Sequence, residues 1–198
     1  MVENYMTLAD KSEGMYREKG SKFIALAYPV GSVDEIKDIL ALLRKRYYDA
    51  RHVCYAYMLG PERTEFRSSD DGEPSGTAGR PILGQINSRQ LTDVLVVVVR
   101  YFGGVLLGTG GLITAYKDAA ADALEHASIV ERRVETALTI SFEYPMMNEV
   151  LRRIREHNAR LIAQELKLEC TLQVLISLSA SEILKNQLEK LEGVTVDC

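Results

Sequence analysis

The chain has 198 residues and a formal net charge of −4; 46% of its residues are apolar and 26% are charged. These values are typical of a folded globular protein, exclude a disordered chain, and lack the overall positive charge of many nucleic-acid binders. The longest strongly apolar run, residues 94–99, is too short to cross a membrane. The N-terminus has no signal-peptide pattern and the three cysteines include no C-x-x-C pair. We therefore expect a reduced, cytoplasmic protein with no membrane segment, metal centre or cofactor.

Periodic apolar residues predict strands and helices in the first half of the chain. Ser32 and Glu35 have capping-box spacing in front of a helical apolar stripe. The nearly continuous, β-branched run at 94–102 is typical of a central strand that is covered on both faces. The predicted elements are, in order, strand 22–30, helix 33–46, strand 50–59, a helix that starts near Pro81, strand 94–102 and helix 112–127.

The second half has a plainer repeating pattern, and residues 112–192 contain no glycine. Its βαββαβ order predicts a ferredoxin-like domain. The fold class is therefore α+β, with two domains at residues 1–132 and 133–198. The predicted elements are a strand around 138–142, a helix along 147–154, strands 159–166 and 169–178, a helix behind the capping box of Ser179 and Glu182 with Gly193 as its C-terminal cap, and a last strand.

A glycine-rich segment, residues 103–111, follows the apolar strand and leads into a helix. A strand, a glycine turn and a helix N-terminus commonly present backbone N–H groups to phosphate. The Walker A pattern fails because Thr109 stands where lysine is required, and the dinucleotide fingerprint fails because Ile113 replaces its third glycine. Two interpretations are left: an anion site at residues 108–112 for a phosphate-bearing ligand, or glycines that allow positive φ and close packing.

Asp70, Asp71 and Glu73 place three carboxylates within four residues. Mutual repulsion could raise the pKa of one of them enough for proton transfer, or their oxygens could hold a divalent cation. The spacing does not match an EF-hand, and Gly72 and Pro74 are ordinary turn residues, so a solvated turn is the third interpretation. The sequence leaves these three interpretations open.

Ser75 and Thr77 supply hydroxyl groups near these carboxylates, and His52 is a candidate base. The serine is one position too late for a G-x-S-x-G nucleophile elbow. His52 and Cys54 share a face of the predicted strand 50–59, but the side chains of such neighbours stand parallel. We therefore expect a packed or hydrogen-bonded histidine rather than a Cys–His pair, and no catalytic set is established.

Four blocks of the sequence carry a resemblance to a known family. They read KGSKFIA (19–25), DARHVCYAY (49–57), SSDDGEPSGTAGRPIL (68–83) and VVVVRYFGGVLLGTGGLITAY (96–116). Together they closely resemble the IMPACT/YigZ family over about residues 18–125, and DDGEPSGTAG and RYFGG…LGTGGL are highly specific. Beyond residue 135 the resemblance is one of architecture only.

The resemblance implies an N-terminal α/β domain similar to the second domain of a small-subunit ribosomal protein. It also implies a C-terminal domain similar to the last domain of elongation factor G. Because eukaryotic members regulate translation, it implies contact with RNA, ribosomes or translation factors, and no enzymatic reaction is established for the family. This chain has Val53, Leu106 and Thr114 where relatives often have His, Lys and Arg or Lys. The missing cations weaken the expectation of a strong phosphate grip beside the glycine loop.

The leading hypothesis is a non-enzymatic, translation-linked or stress-linked regulator. The 68–83 and 100–111 loops would form one binding face and, with the C-terminal sheet, would bind RNA or a ribosome-associated partner. One alternative is a hydrolase or nucleotide-processing enzyme that uses His52 and the 70–73 carboxylates with Ser75 or Thr77; another is a purely protein-binding module. The candidate ligand-binding residues are Arg51, His52, Asp70, Asp71, Glu73, Ser75, Thr77, Arg100, Gly103, Gly104, Gly108, Thr109, Gly110 and Gly111.

Overall fold

The computed structural model describes residues 2–198, which form two compact units. One unit comprises residues 5–132, and the other comprises residues 133–198 together with residues 2–4. The elements in chain order are β1 (Asn4–Leu8), β2 (Ser12–Glu18), β3 (Ser21–Pro29), α1 (Val33–Arg46), β4 (His52–Leu59), β5 (Glu65–Ser69), α2 (Gly79–Ser88), β6 (Val94–Tyr101), α3 (Gly108–Glu125), β7 (Ile129–Arg133), β8 (Glu135–Glu143), α4 (Met147–Glu156), β9 (Arg160–Glu165), β10 (Glu169–Ser177), α5 (Leu178–Leu188) and β11 (Thr195–Asp197). None of these helices is long and apolar enough to cross a membrane.

The unit of residues 5–132 is built on a five-stranded antiparallel sheet with the order β2-β3-β6-β4-β5. Strand β6 lies at its centre, and its run of Val and Leu residues is fully buried on both faces, as predicted. Burial of each such side chain stabilises the fold by roughly 1.5–3 kcal/mol. The side chains that enter the core with α2 and α3 are Val94, Val96 and Val98, and those that enter the core with α1 are Leu95, Val97 and Val99.

Helix α1 has the bounds that its capping signal predicted. The Ser32 hydroxyl accepts a hydrogen bond from the backbone N–H of Glu35 at 3.2 Å. The Glu35 carboxylate in turn accepts from the backbone N–H of Gly31 at 2.7 Å. The first contact satisfies a donor at the start of the helix, as the Ser-x-x-Glu pattern indicates, whereas the second binds the residue before the N-cap.

The starts of α2 and α3 differ from the predictions. Helix α2 begins at Gly79, two residues before Pro81. Helix α3 begins at Gly108 rather than at residue 112, so the last glycines of the loop form its first turn. Apolar periodicity locates only the packed part of a helix, and it says nothing of a glycine-rich first turn that packs no side chain.

Four strands carry no signal that predicted them. Strand β2 and strand β5 are the two edges of the five-stranded sheet, and β1 and β7 pair with each other as a two-stranded sheet. Strand β5 is largely exposed, so it lacks the apolar alternation that marks a half-buried strand. Backbone hydrogen bonds to neighbouring strands define these elements, and few of their side chains, such as Leu8 of β1, enter the core.

The unit of residues 133–198 has the predicted βαββαβ order, with a sheet arranged β11-β8-β10-β9. Alternate residues of β8 and β10 enter its core together with residues of α4 and α5. Two details of the prediction are wrong. Helix α5 begins at Leu178 and has no side-chain cap, so Ser179 lies inside the helix; and the helix ends at Leu188, five residues before Gly193.

Candidate functional site

A cleft of about 360 Å³ opens in the unit of residues 5–132, between the end of β6, the start of β4 and the start of α3. A larger pocket of about 700 Å³ lies in the other unit, but it contains none of the residues predicted for a site. The cleft contains six of them and is therefore the candidate functional site. It is lined by Arg51, His52, Glu73, Pro74, Arg100, Phe102, Leu106, Leu107, Gly108, Thr109 and Leu112.

Sheet register brings the basic residues of the cleft together. His52 is the first residue of β4, and it lies opposite Arg100 of the adjacent strand β6. The backbone N–H of Arg51 donates to the Arg100 carbonyl at 3.0 Å. Residues almost fifty positions apart in the chain thus share one wall of the cleft because the two strands pair.

The Asp70 carboxylate caps helix α2. Its two oxygens accept hydrogen bonds from the backbone N–H groups of Gly76 at 2.9 Å, Ala78 at 3.1 Å and Gly79 at 2.8 Å. Burial alone would raise the pKa of Asp70, but these three donors outweigh it and lower the pKa below its ordinary value. Asp70 is therefore an ionised structural group that folds the carboxylate loop back onto the helix.

The Asp71 carboxylate fixes the other side of this loop. It accepts from the backbone N–H of Val53 at 2.7 Å and forms an ion pair with Arg44 of α1 at 2.9 Å. Burial opposes ionisation here as well, but the hydrogen bonds from Arg44 and Val53 lower the pKa of Asp71. A raised pKa from mutual repulsion is therefore wrong for both Asp70 and Asp71, because each carboxylate has its own donors.

Glu73 forms a buried charged network at the base of the cleft. Its Oε1 accepts from Arg100 at 2.6 Å and from the Tyr116 hydroxyl at 2.7 Å. The Arg100 guanidinium lies 5.5 Å from the ring centroid of Phe23 and 5.6 Å from that of Phe102. The Arg100 side chain is only 6% exposed, and its buried Nε–H has no hydrogen-bond partner among residues 2–198. This orphaned donor lies in a side chain that lines the cleft.

His52 is held in one tautomer by the carboxylate loop. Its Nδ1 lies 2.7 Å from the backbone carbonyl oxygen of Asp71. Because a carbonyl can only accept, Nδ1 carries the proton of this hydrogen bond. The other nitrogen, Nε2, lies 3.7 Å from Oε2 of Glu73 and forms an ion pair with it when the imidazole is protonated. A histidine–carboxylate pair therefore lies at the cleft.

The thiol and the hydroxyls near the cleft are engaged elsewhere. The Cys54 thiol donates to the Asp70 carbonyl at 3.0 Å, and burial raises its pKa to about 12, so it is a poor nucleophile. Thr77 is buried and its hydroxyl donates to the Pro74 carbonyl at 2.6 Å, while Ser75 is exposed. Neither Ser75 nor Thr77 lines the cleft. No group of three or more His, Cys, Asp and Glu side chains within residues 2–198 is placed to hold a metal ion.

The predicted glycines differ in what they do. A side chain at Gly103 would place its Cβ 2.0 Å from the carbonyl carbon of Gly20, so this glycine permits a close approach of two backbones. Gly104 has a φ of +88°, a conformation that favours glycine. Gly108 lines the cleft, whereas the next glycines, Gly110 and Gly111, lie in the first turn of α3 outside the lining.

The N-terminus of α3 is open toward the cleft. Its N-cap residue, Leu107, makes no side-chain capping bond, and the first turn contains no acidic residue. The first backbone N–H groups of a helix have no partner within the helix, and they carry the positive end of its dipole. This helix start therefore presents donors, without a side-chain acceptor, where Gly108 and Thr109 line the cleft.

The sequence did not indicate Arg44, Phe102, Tyr116 and Leu107 as site residues. Arg44 belongs to a basic cluster that is ordinarily a solvated helix face, and Tyr116 belongs to the apolar stripe of α3. Tyr116 is fully buried, as that stripe indicated, yet its hydroxyl reaches Glu73. A requirement that a buried tyrosine find a hydrogen-bond partner is the signal that could have found it.

Comparison with known proteins defines the family. The model of the Impact N-terminal domain matches residues 19–124, more than half of the chain. The chain belongs to the IMPACT family. Among curated members, it is 35% identical to YvyE of Bacillus subtilis over 79% of this chain and 72% of that protein. It is 32% identical to YigZ of Escherichia coli over 80% and 78% of the two chains.

One solved structure, described as that of a hypothetical protein, covers 99% of this chain and 97% of its own, with a TM-score of 0.78 and 28% identity. All residues that line the cleft lie inside the region matched by the IMPACT family model.

Proposed function

We propose that this IMPACT family chain is a non-enzymatic, translation-linked or stress-linked regulator that binds RNA, a ribosome or a translation factor through the cleft. The observation that carries the proposal is the open N-terminus of α3 beside Arg51 and Arg100. It supplies hydrogen-bond donors and positive charge to an anionic group, while Cys54, Ser75 and Thr77 lie outside the lining of the cleft. The implied likeness of the two units to domains of a ribosomal protein and of elongation factor G belongs to the same proposal.

The donors that carry this proposal lie in the unit of residues 5–132. In the other unit, Glu143 and Glu169 are directly paired across strands β8 and β10, and both are exposed. Like charges at such positions repel an anionic backbone. This pair disfavours RNA at that end of the C-terminal sheet, and binding by the rest of the sheet stays a prediction.

The proposal is tested by recovery of tagged protein from cell lysate, with and without RNase and at two salt concentrations. The cleft variant is Arg51→Glu, which reverses an exposed charge, and the matched control is Arg67→Glu on the exposed strand β5. Wild type and Arg67→Glu should recover ribosomal particles, RNA or a translation factor, and Arg51→Glu should lose most of them. Equal recovery by both variants, or no such partner with wild type, overturns the proposal.

The pair of His52 and Glu73 favours a second candidate, a hydrolase or nucleotide-processing enzyme. The 3.7 Å separation between Nε2 and Oε2 places a proton acceptor or donor where a phosphate-bearing substrate would meet the start of α3. Turnover of nucleotides or phosphate esters that His52→Gln abolishes, with substrate binding retained, would establish this activity. Absence of turnover across both substrate classes would exclude it for those classes.

A further inference from the structure

We infer that the cleft binds the free carboxyl terminus of a partner polypeptide, whose last side chain lies against the apolar wall. This inference rests on the proposed function and specifies its partner as a protein rather than RNA. Three features of the cleft support it: donors without acceptors, a single surplus positive charge, and an apolar mouth.

The start of α3 and the Arg100 guanidinium supply hydrogen-bond donors without partners at the cleft. The first-turn N–H groups of α3 have no side-chain acceptor, and the buried Arg100 Nε–H has no partner within residues 2–198. The one carboxylate in the lining, Glu73, accepts from Arg100 and Tyr116 through Oε1, and its Oε2 lies 3.7 Å from Nε2 of His52. A ligand group that only accepts hydrogen bonds satisfies such donors, and a carboxylate is acceptor-only. Backbone donors capture terminal carboxylates in other peptide-binding proteins.

The charge of the cleft matches one negative charge. Arg51 and Arg100 contribute two positive charges, and the buried Glu73 offsets one of them. An RNA strand carries a charge at every phosphate and needs a track of cations along it. Leu106 instead occupies the exposed position beside the glycines, and Arg51 is the exposed arginine of the lining. One terminal carboxylate needs no such track.

Apolar side chains surround the donors. Leu106 is 83% exposed and Phe102 47%, and Pro74, Leu107 and Leu112 continue the apolar surface into the cleft. Clustered exposed apolar residues mark surfaces that a partner covers. A volume of about 360 Å³ is at the small end of ligand clefts, so it accommodates the last residue or two of a chain.

The test measures binding by fluorescence anisotropy with labelled hexapeptides that end in Leu, Phe, Val, Gly or Asp, each as the free acid and as the C-terminal amide. Apolar free acids should bind, and amidation should weaken them about tenfold or more, because it removes a charged hydrogen-bond acceptor. The Arg51→Gln and Leu106→Ser variants should each weaken binding several-fold. Leu42→Ser, at a leucine that is 64% exposed on α1, is the matched control and should bind as wild type does.

Four outcomes overturn the inference. Equal binding of acids and amides removes the role of the carboxylate. If 4-methylpentanoate alone competes for the cleft as strongly as the free-acid peptides, the occupant is a small organic acid rather than a polypeptide. Binding of a single-stranded RNA hexamer, with no peptide bound, overturns the inference but leaves the proposed function standing. If neither peptides nor RNA bind and the lysate recovery yields no partner, both this inference and the proposed function are overturned.

Discussion

Replacement of Asp70 by Asn tests how the carboxylate loop is held. Oδ1 of Asp70 accepts from the N–H groups of Ala78 and Gly79, and Oδ2 accepts from the N–H of Gly76. Asparagine has one acceptor oxygen, and its NH₂ group would face a backbone donor in place of the other oxygen. In Asp70→Asn, at least one of these three N–H groups therefore loses its acceptor, and the charge at the start of α2 disappears.

The expected cost follows from these contacts. A hydrogen bond to a charged acceptor contributes about 1.5–3 kcal/mol, and an anion at a helix N-terminus adds about 0.3–1 kcal/mol. We expect Asp70→Asn to lower the free energy of unfolding by about 2–3 kcal/mol. This value lies in the lower part of the range that the two contributions give together, because Asp70 is partly exposed.

Urea unfolding measures this change by circular dichroism and tyrosine fluorescence, since the chain contains ten tyrosines and no tryptophan. The transition that contains α2 should move to lower urea. The matched control is Asp38→Asn on the exposed face of α1, which should stay within about 0.5 kcal/mol of wild type. A loss for Asp70→Asn no larger than that of the control would refute Asp70 as the cap of α2.

The pH dependence of stability tests the same contribution of the Asp70 carboxylate. The donors to Asp70 lower its pKa in the folded protein, despite the opposing effect of burial. The carboxylate therefore stabilises the fold fully above its unfolded pKa of about 4, and this contribution is lost as the pH falls through the lower folded pKa. The stability difference between wild type and Asp70→Asn should be constant near pH 7 and should shrink below about pH 4.

Three further predictions concern the surroundings of the cleft. Gly103→Ala would place a Cβ 2.0 Å from a backbone atom and should lower the free energy of unfolding by about 1–3 kcal/mol or more. In the control variant Gly110→Ala, the new Cβ meets nothing within 4 Å, so stability should stay unchanged or rise slightly. Thermal unfolding compares the two variants. Tyr116→Phe leaves the buried network without one donor and should cost about 1–3 kcal/mol in urea unfolding. With a thiol reagent, the exposed Cys198 should react in the folded protein and Cys54 only on unfolding; equally fast reaction would contradict the burial of Cys54.

Elements with strong local signals could be predicted from the sequence. The capping pair before α1 is a signal within one short segment. The buried run of β6 and the alternation of β8 are also local, since they need only some apolar core to pack against and not a particular partner. The predicted face shared by His52 and Cys54 is consistent with the structure, since one side chain contacts the Asp71 carbonyl and the other the Asp70 carbonyl. Edge strands such as β5 could not be predicted, because they depend on a neighbour's free backbone groups.

The sequence by itself determined that the carboxylates and glycines of these blocks lie in loops, next to predicted strands that carry the basic residues and next to a helix start. Only the tertiary structure decided which groups pair: Glu73 with Arg100, 27 positions away, and Asp71 with Val53, 18 positions away. A charge pattern states the sign of a group but not its partner, because the energy of an ion pair depends on distance and burial. The register of β4 against β6 and the start of α3 set those distances. As a result, Asp70 caps α2, Asp71 binds Val53 and Arg44, and Glu73 lies at the base of the cleft.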